Sequence, residues 1–474
     1  MAAQDEHVLI LGAGIVGLCS AYYTLAASPS IRVTLVEASA SHRVAAGASS
    51  HAGGFLACGP AWHDSPSRDL ARLTWECHVE LAKQLKGEES YGWRECGAVG
   101  LSVGGRGESR SKYRSLPGGR GTEVETEEGR MMPPGEWVEG EREELSTEGG
   151  VGQVDPAQFC QTLYRYLETT FADRFDTHFG EATSISRPSA SLLSTATDAV
   201  LASSSASPKS TLTFLPHPSP SSPSSTPSPI QLPFDKLLIT AGPWSAALCA
   251  KLGLPSVPIS NLPGHSLLIR PALDAFVPSQ SSSALSPKEL PSEAVFAGID
   301  GAIGGMHSEA FGLARGLTPE EKAQGFTRSP ELFVRKSGLV YVAGENSIPD
   351  SAARGSGVGL ENKLPGTVDQ VEGMVDQECV GRLKRAAGAV SPLLKEENGA
   401  VVERMQLCYR PISSDREPIV GKLDDDVFVA TGHGPWGITL APGTGKVIAE
   451  MMLGLELSAD VSGLSPARFR MGKV

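Results

Sequence analysis

The sequence lacks the features that mark a nucleic-acid-binding protein, a disulfide-rich domain or a metalloenzyme. Among its 474 residues, 41 Lys and Arg stand against 54 Asp and Glu, a formal net charge of −13, so a basic face for nucleic acid is not expected. The eight cysteines include no CxxC pair, which predicts reduced thiols in the cytosol. No spacing of metal ligands such as HExxH occurs in the sequence, so no metal site is expected.

A basic segment is also missing before the long uncharged run at residues 8–27. A secretory signal peptide needs such a segment, whereas Asp5, Glu6 and His7 stand here. A membrane-spanning helix is not expected either, because three glycines interrupt the run at a turn-like spacing. The stretch predicts a buried strand, a turn and a helix, and residues 472–474 do not form a peroxisomal signal. We therefore expect a cytoplasmic protein without a transmembrane segment.

Two segments differ in composition from the rest of the chain. In residues 119–150, ten Glu face three Arg, and this pattern predicts a solvated loop or a surface helix. In residues 216–229, twelve of the fourteen are Ser or Pro. Because proline removes backbone donors and serine adds no apolar surface, residues 186–230 are predicted to be mostly disordered. This insert is interpreted as having no chemical role, with a phosphorylated docking loop as the alternative.

The periodicity of apolar residues predicts a mixed α/β fold. Apolar runs of strand length at Val8–Leu11 and Ile31–Glu37 flank a helical stretch at Gly14–Ala27, which is the pattern of a parallel βαβ unit. The middle of the chain has strands and loops with few helices, which favours a second, largely antiparallel sheet. The other predicted strands are Lys236–Thr240, Ser266–Ile269, Leu339–Ala343 and Val427–Thr431, and the other predicted helices are Arg68–Lys86, Pro156–Thr169, Trp244–Lys251 and Thr444–Leu453.

Three glycines follow the first predicted strand and open the first predicted helix. Gly12 permits a tight turn, Gly14 lets the backbone approach a pyrophosphate, and Gly17 lets the helix pack against the sheet. The N-terminus of that helix offers N–H groups to the phosphates. Glu37 ends the second strand, where a carboxylate can bond both ribose hydroxyls and would repel a 2′-phosphate. The unit predicts dinucleotide binding and disfavours NADP, but it does not choose between NAD and FAD.

Later segments of the chain favour FAD over NAD, because they resemble segments of known flavoenzymes. Residues 46–54, AGASSHAGG, resemble a "GAS…(N)AGG" segment of known flavoenzymes, with His51 where many of them have Asn. Residues 410–421 are similar to their "RP…D..P.iG" segment, and residues 432–445 are similar to their "GH…GI.LAP.TG" signature. Residues 240–244 are similar to their "AtGaW" turn. The chain is thus identified as a member of the D-amino-acid oxidase, glycine oxidase and sarcosine oxidase superfamily.

The resemblance implies an FAD-dependent oxidoreductase that oxidises a C–N bond of an amino acid or secondary amine by hydride transfer to flavin N5, with O2 as the acceptor. It also implies a Rossmann-like FAD-binding domain interleaved with a largely antiparallel substrate domain. We expect residues 1–100, 145–250 and 395–474 in the first domain, and residues 100–145 and 250–395 in the second. The residues expected to contact FAD are Gly12, Gly14, Ile15, Val16, Gly17, Glu37, Ala48, Ser49, Ser50, His51, Gly53, Gly54, Thr240, Gly242, Trp244, Gly432, His433, Gly434, Gly437, Ile438 and Thr439.

Arg410 is the predicted substrate contact. It lies where the resembling amino-acid oxidases place an arginine for the substrate carboxylate, which a planar guanidinium binds with two parallel donors. The alternative is a structural ion pair with Asp415 or Glu417. Tyr409 is interpreted as a core residue, and His433 is interpreted as a positional residue rather than a proton shuttle.

Three alternatives remain at this point. FAD is predicted to bind non-covalently, but some resembling enzymes attach it to a cysteine near Cys408, which is otherwise an inert buried thiol. The resemblance also covers fungal members associated with endosomal trafficking. The alternative function is therefore a flavin-binding protein with a regulatory or endosomal-trafficking role and little turnover, in which the Ser/Pro and acidic segments would bind a partner or regulate the protein. An NAD-dependent dehydrogenase would explain Gly12 to Glu37 but gives the C-terminal signature no purpose.

Overall fold

The structure is a computed structural model that describes residues 6–64, 66–104, 136–188, 209–218, 227–275, 289–299, 329–346 and 364–469. The strands within these ranges are β1 (Glu6–Leu11), β2 (Ile31–Glu37), β3 (Phe55–Ala57), β4 (Arg94–Glu95), β5 (Gly97–Val103), β6 (Glu141–Glu144), β7 (Val151–Gln153), β8 (Phe175–Ser186), β9 (Ser210–Pro216), β10 (Ile230–Phe234), β11 (Lys236–Ile239), β12 (Ile259–Arg270), β13 (Glu293–Ile299), β14 (Glu331–Val334), β15 (Val340–Glu345), β16 (Val401–Ser413), β17 (Ile419–Lys422) and β18 (Val427–Thr431). The α-helices are α1 (Ile15–Ala27), α2 (Ala48–His51), α3 (Arg68–Gln84), α4 (Gly87–Tyr91), α5 (Pro156–Thr170), α6 (Ser245–Lys251), α7 (Gln377–Val390) and α8 (Gly437–Leu453).

An eight-stranded sheet is built around the predicted βαβ unit, in the strand order β10-β9-β8-β2-β1-β11-β18-β17. The five strands from β8 to β18 run parallel, and β10, β9 and β17 add antiparallel edges. In β1, Val8 and Ile10 pack in the core formed with α1 and α8, whereas Leu9 and Leu11 pack in the core that includes Cys249 of α6. Burial on both faces explains why β1 is a continuous apolar run. The predicted mixed α/β fold is confirmed.

A second, seven-stranded sheet has the order β16-β12-β15-β14-β13-β5-β6. Its pairs are antiparallel except for β13 with β5, as expected for the middle of the chain. Leu332 and Val334 of β14 pack against α7 in one core, so Phe333, which lies between them in sequence, faces the other side of the sheet. A third, small sheet has the order β3-β7-β4. The division of the chain into two domains stays a prediction.

The prediction of disorder over residues 186–230 is wrong for the part that the structure describes. β8 extends to Ser186, and β9 pairs with β8 and β10 at the edge of the eight-stranded sheet. Leu212 and Phe214 alternate with polar residues and are almost completely buried, so a two-residue apolar period outweighs the polar composition. Residues 189–208 and 219–226 lie outside the described residues.

The acidic segment 119–150 is also more structured than predicted where it is described. β6 pairs with β5 as the edge strand of the seven-stranded sheet, a position that tolerates charged side chains. Trp137 is 1% exposed and donates its indole N–H to Glu293 at 2.9 Å. A buried tryptophan and backbone pairing therefore anchor this stretch, while residues 119–135 lie outside the described residues.

The remaining predicted elements are confirmed, most of them with small shifts at their ends. Two elements begin seven residues before the predicted position: β12 begins at Ile259 and not at Ser266, and α8 begins at Gly437 and not at Thr444. The helix α8 can begin this early because side chains of α3 form hydrogen bonds with the backbone groups that Pro442, in its second turn, leaves without helical partners. Within the described ranges, none of the helices combines the length and the apolar character that crossing a membrane requires.

Candidate functional site

The glycines after β1 bring three segments of the chain into close contact. Gly12 has φ +113°, and a Cβ there would lie 2.6 Å from the carbonyl oxygen of Thr240. A Cβ on Gly17 would lie 2.1 Å from the carbonyl oxygen of Gly12. Only glycine therefore lets the turn, α1 and the end of β11 pack this closely. The first turn of α1, whose N–H groups have no intrahelical acceptors, opens onto a cavity that Gly14 and Ile15 line.

Glu37 closes this turn from the end of β2. Its Oε2 accepts the N–H of Ala13 at 2.8 Å, and its Oε1 accepts the N–H of Ser39 at 3.0 Å. Burial raises the pKa of Glu37, and these backbone N–H groups oppose the shift. Each carboxylate oxygen has a further lone pair and Glu37 lines the cavity, so the side chain is available to ribose hydroxyls as well.

The segment 46–54 forms α2 and wraps around the same turn. Ser49 Oγ accepts the N–H of Ile15 at 3.0 Å, which ties α2 to the start of α1. Gly54 has φ +84°, and a Cβ there would lie 2.1 Å from the carbonyl oxygen of Val154. The ring of His51 is bound elsewhere, because its Nδ1 lies 3.2 Å from the carbonyl oxygen of Leu407 in β16.

The start of α8 lies beside the cavity and depends on two side chains of α3. Pro442 has no N–H for the carbonyl oxygen four residues earlier, and His78 Nε2 donates to that oxygen at 3.2 Å and to the carbonyl oxygen of Thr439 at 3.0 Å. Thr74 Oγ1 donates to the same Thr439 oxygen at 3.0 Å and accepts the N–H of Gly443 at 2.8 Å. The backbone groups that the proline leaves without helical partners are thereby hydrogen-bonded, and α8 keeps its N-terminus at the cavity.

His433 precedes α8 and lines the cavity. Its Nε2 lies 3.0 Å from Thr444 Oγ1. Burial lowers the pKa of His433 to about 4, because the charged imidazolium loses its hydration. The ring is therefore neutral at physiological pH, which fits a positional role.

The side chain of Arg410, in β16, extends over the neighbouring strand β12 to the cavity. Its guanidinium passes over Gly264 of β12, where a Cβ would lie 2.4 Å from Nη2. Nη2 donates to Asn346 Oδ1, and Nε is buried without a partner among the described residues. The side chain is therefore held by a neutral amide and keeps its charge available to the cavity.

The structural ion pair considered for Arg410 is not formed in the described part of the chain. Asp415 pairs with Arg468 at 2.7 Å, and no described carboxylate lies within salt-bridge distance of Arg410. Tyr409 is 3% exposed and packs with Val371 and Leu407, as a core residue does. Cys408 is part of the cavity wall, and burial raises the pKa of its thiol, which disfavours the reactive thiolate.

These elements surround a cavity of about 370 Å³ that both large sheets line. The predicted site residues that line it are Gly12, Gly14, Ile15, Val16, Glu37, Ala48, Ser49, Gly53, Gly54, Thr240, Gly242, Trp244, Arg410, His433, Gly434, Gly437 and Ile438. Five predicted residues do not: Gly17, Ser50, His51, Gly432 and Thr439. Gly17 packs behind the turn, and Thr439 Oγ1 donates to the carbonyl oxygen of Phe55 at 3.1 Å.

Several lining residues were not predicted as site residues. Glu331 and Phe333 come from β14, Tyr341 from β15, and Asn346 follows β15 directly. The alternation of Leu332 and Val334 with Glu331 and Phe333 indicates two faces of a strand, but it does not say which face meets a cavity.

The residues present fit an FAD. Gly12, Gly14 and Ile15 line the cavity at the positive end of α1, where a diphosphate binds favourably. Glu37 offers acceptors for a ribose, and the positive end of α8 lies at the same cavity, beside residues 434–438. Among the residues that the structure describes, no group of three or more His, Cys, Asp or Glu side chains is arranged to hold a metal ion.

Comparisons with known proteins agree with this geometry. The family model DAO, described as FAD dependent oxidoreductase, matches residues 7–451. A candidate oxidoreductase of Schizosaccharomyces pombe, C1F5.03c, is 26% identical over 482 residues and matches over 98% of both chains. Glycine oxidase from Geobacillus kaustophilus superposes with TM-score 0.60 at 17% identity, covering 98% of this chain and 99% of that one. L-Amino acid deaminase from Proteus myxofaciens superposes with TM-score 0.60 at 15% identity, covering 98% and 94%. Both solved structures share the fold.

Proposed function

Because the chain belongs to the DAO family of FAD-dependent oxidoreductases, we propose that it oxidises the C–N bond of an amino acid, or of a secondary amine that carries a carboxylate. FAD is its cofactor, which excludes the NAD-dependent dehydrogenase considered from the sequence. The names of the glycine oxidase and L-amino acid deaminase with the same fold support a substrate of this class.

The observation that carries the proposal is the Arg410 side chain. Its guanidinium lies in the cavity wall, its Nε is buried without a partner among the described residues, and its Nη2 is held by the neutral side chain of Asn346. A buried guanidinium without a carboxylate has lost hydration that a bound anion restores. A substrate carboxylate would provide two parallel acceptors for it.

The other side chains orient the substrate and exclude water. When bound, FAD supplies the acceptor for the hydride that leaves the substrate carbon. Phe333, Tyr341 and Trp436 form an apolar part of the cavity wall, where the charge interactions of Arg410 are stronger than in water. The positive end of α8 favours negative charge in its neighbourhood. His433 is neutral and bound to Thr444, so no proton transfer is assigned to it. We propose O2 as the electron acceptor.

A peroxide-coupled screen tests the proposal. Amino acids of both chiralities, N-methyl amino acids and amines without a carboxylate are offered to the wild-type protein and to Arg410→Ala and Arg410→Lys. The alanine variant is expected to lose at least about 100-fold in kcat/KM for the carboxylate-bearing substrates, since two charge-assisted hydrogen bonds are removed. Lysine should restore only part of the rate, because it lacks the planar fork. Unchanged oxidation of the carboxylate-bearing substrates by Arg410→Ala would place their binding site elsewhere.

We propose that the FAD is bound non-covalently. Cys408 is 7% exposed, and burial keeps its thiol protonated by raising its pKa. Precipitation of the protein with acid is therefore expected to leave the yellow colour in the supernatant. Colour that stays in the pellet of wild-type protein, but not in that of Cys408→Ser, would show a covalent link.

A further inference from the structure

A second charged side chain faces the cavity from the same sheet as Arg410. Glu331 is the first residue of β14, lies opposite Ala343 of β15, and lines the cavity together with Phe333. Burial lowers the pKa of His265, which also lines the cavity, to about 4 and so keeps that ring neutral. Glu331 and Arg410 are thus the carboxyl group and the guanidinium group that the described part of this sheet presents to the cavity.

These two charges affect each other without touching. Arg410 reaches across β12 to Asn346, the residue that follows β15, and β15 is the neighbour of β14, about 4.8 Å away. Burial raises the pKa of Glu331 to about 7, and the positive charge of Arg410 opposes that shift. No described residue forms a salt bridge with either side chain. Ala343, which pairs with Glu331 across the two strands, also lines the cavity and has only a methyl side chain.

We infer that Glu331 binds an ammonium nitrogen of the substrate while Arg410 binds its carboxylate, so that the cavity selects zwitterionic or basic amino acids against dicarboxylates. The inference rests on the proposed function, because it takes Arg410 as the carboxylate site. A carboxylate that burial has deprived of water is stabilised by a cation placed beside it. A second carboxylate on the substrate would be repelled by Glu331 instead. Glu331 would therefore discriminate against dicarboxylates as well as increase the affinity for substrates that carry an ammonium group.

Two ligands of the same shape test this charge recognition. Glycine betaine has a carboxylate and a permanent positive charge, and its nitrogen has no lone pair to assist oxidation. In 3,3-dimethylbutyrate a carbon atom replaces that nitrogen, so the shape is kept and the charge is lost. Each ligand is titrated into the FAD-loaded protein, and binding is measured from the change in flavin absorbance. We expect wild-type protein to bind the betaine at least about tenfold more tightly. Glu331→Gln should lose this preference with its affinity for dimethylbutyrate unchanged.

Two further variants separate this inference from the proposed function. Glu141→Gln changes an exposed residue of β6 in the same sheet and is expected to keep the preference. Arg410→Ala should weaken both ligands alike, and if both still bind it as they bind wild type, the proposed carboxylate site is wrong. A wild-type protein without a preference for the betaine, or a Glu331→Gln protein that retains it, overturns the role of Glu331.

The KM values for alanine, lysine and glutamate, each tested as both enantiomers, show which ammonium group of the substrate Glu331 binds. If Glu331→Gln raises KM for alanine and lysine alike, Glu331 binds the amine that is oxidised. A rise confined to lysine assigns Glu331 to a cationic side chain. Both results support the inference, whereas glutamate oxidised better than lysine by the wild-type protein contradicts it.

Discussion

At the scale of single residues, Gly264 determines where the Arg410 side chain can lie. A Cβ at this position would lie 2.4 Å from Nη2 of Arg410, and the nearest atoms all belong to that guanidinium. Gly264→Ala must therefore displace the guanidinium, whereas β12 can keep its backbone conformation because no positive φ is involved.

The expected result of Gly264→Ala is a KM for carboxylate-bearing substrates that rises by at least about tenfold. The flavin content of the purified protein should stay at the wild-type level, since the change lies away from the dinucleotide turn. Steady-state kinetics and the ratio of flavin to protein absorbance measure the two effects. Gly373→Ala, at a position where a Cβ meets nothing within 4 Å, is the matched control. An unchanged KM in Gly264→Ala would mean that Arg410 does not contact the substrate.

The residues of the site divide into those that the sequence reveals and those that it does not. Gly12 and Gly17 are recognisable because a close backbone approach requires glycine and leaves a fixed spacing. Gly264 and Glu331 lie in ordinary strands, and they come near Arg410 only because β16, β12, β15 and β14 lie side by side in the seven-stranded sheet. Strand order follows from tertiary packing, so no local pattern could have placed these residues together.

The histidine that supports α8 makes the stability of the protein depend on pH. Burial lowers the pKa of His78 to about 4, and the unfolded chain has the ordinary value of about 6.5. Above pH 6.5 the ring is neutral in both states and contributes no dependence on pH. Between about pH 6.5 and 4 only the unfolded state binds the proton, so the free energy of unfolding falls as the pH is lowered.

For His78 alone, this effect amounts to about 2 kcal/mol between pH 7 and pH 5. His78→Gln keeps a side-chain N–H for the carbonyl groups of α8 and removes the titration. Urea unfolding at the two pH values is expected to show a smaller difference for this variant than for the wild type. His217→Gln, at a partly exposed histidine that directly follows β9, serves as the control. Equal pH dependence in wild type and His78→Gln would contradict the assignment.

At the scale of secondary-structure elements, α8 shows how a helix can contain Pro442 without losing its position. Thr74 bonds both the carbonyl oxygen of Thr439 and the N–H of Gly443, and Thr74 is completely buried. Thr74→Val keeps the shape of the side chain but leaves both backbone groups without this partner. The expected loss is about 1–3 kcal/mol in the free energy of unfolding.

Chemical denaturation with flavin bound measures this loss. Thr169→Val is the matched control, because the hydroxyl of Thr169 bonds a carbonyl oxygen of its own helix α5 at an exposed position. The control is expected to change stability by less than about 0.5 kcal/mol. If Thr74→Val is as stable as the control, α8 does not depend on α3 for its hydrogen bonds.

Amino-acid composition predicted the secondary structure poorly at two strands, β9 and β6. β9 lies next to the Ser/Pro-rich stretch, yet Leu212 and Phe214 alternate with polar residues and fill a core. β6 consists of charged residues, and it forms because β5 offers a free edge and Trp137 anchors the preceding turn. The alternation of apolar and polar residues in β9 is visible in the sequence, but the serine and proline content of the segment led to a prediction of disorder. The formation of β6 depends on its pairing with β5, a neighbour that the sequence does not identify.

At the scale of the whole molecule, residues 364–374 connect the cavity to the loop after β2. Val368 and its neighbours line the cavity, and Trp244 donates its indole N–H to the carbonyl oxygen of Pro365 at 2.8 Å. The carboxylate of Asp369 accepts the N–H of Ala40 at 2.7 Å and the hydroxyl of Ser39 at 3.0 Å. Burial alone would raise the pKa of Asp369, but the hydrogen bonds outweigh it and hold the pKa below its usual range.

This segment is expected to slow the release of FAD, because the loop that it holds follows Glu37 directly. Asp369→Ala should therefore increase the rate of FAD dissociation and lower the unfolding temperature of the FAD-loaded protein. A ligand stabilises the folded state by RT ln(1 + [L]/Kd), so a weaker Kd lowers the stability of the loaded form more than that of the flavin-free form. Arg43 forms an ion pair with Asp369 at 3.8 Å and another with the exposed Glu372 at 3.4 Å. Glu372→Gln, which removes only the second of these pairs, is the control. Thermal unfolding at several FAD concentrations distinguishes the possibilities. Equal losses in the loaded and flavin-free forms would mean that Asp369 supports the fold alone. A loss that is absent without FAD and grows to a constant value as FAD is added in excess places its effect on cofactor retention.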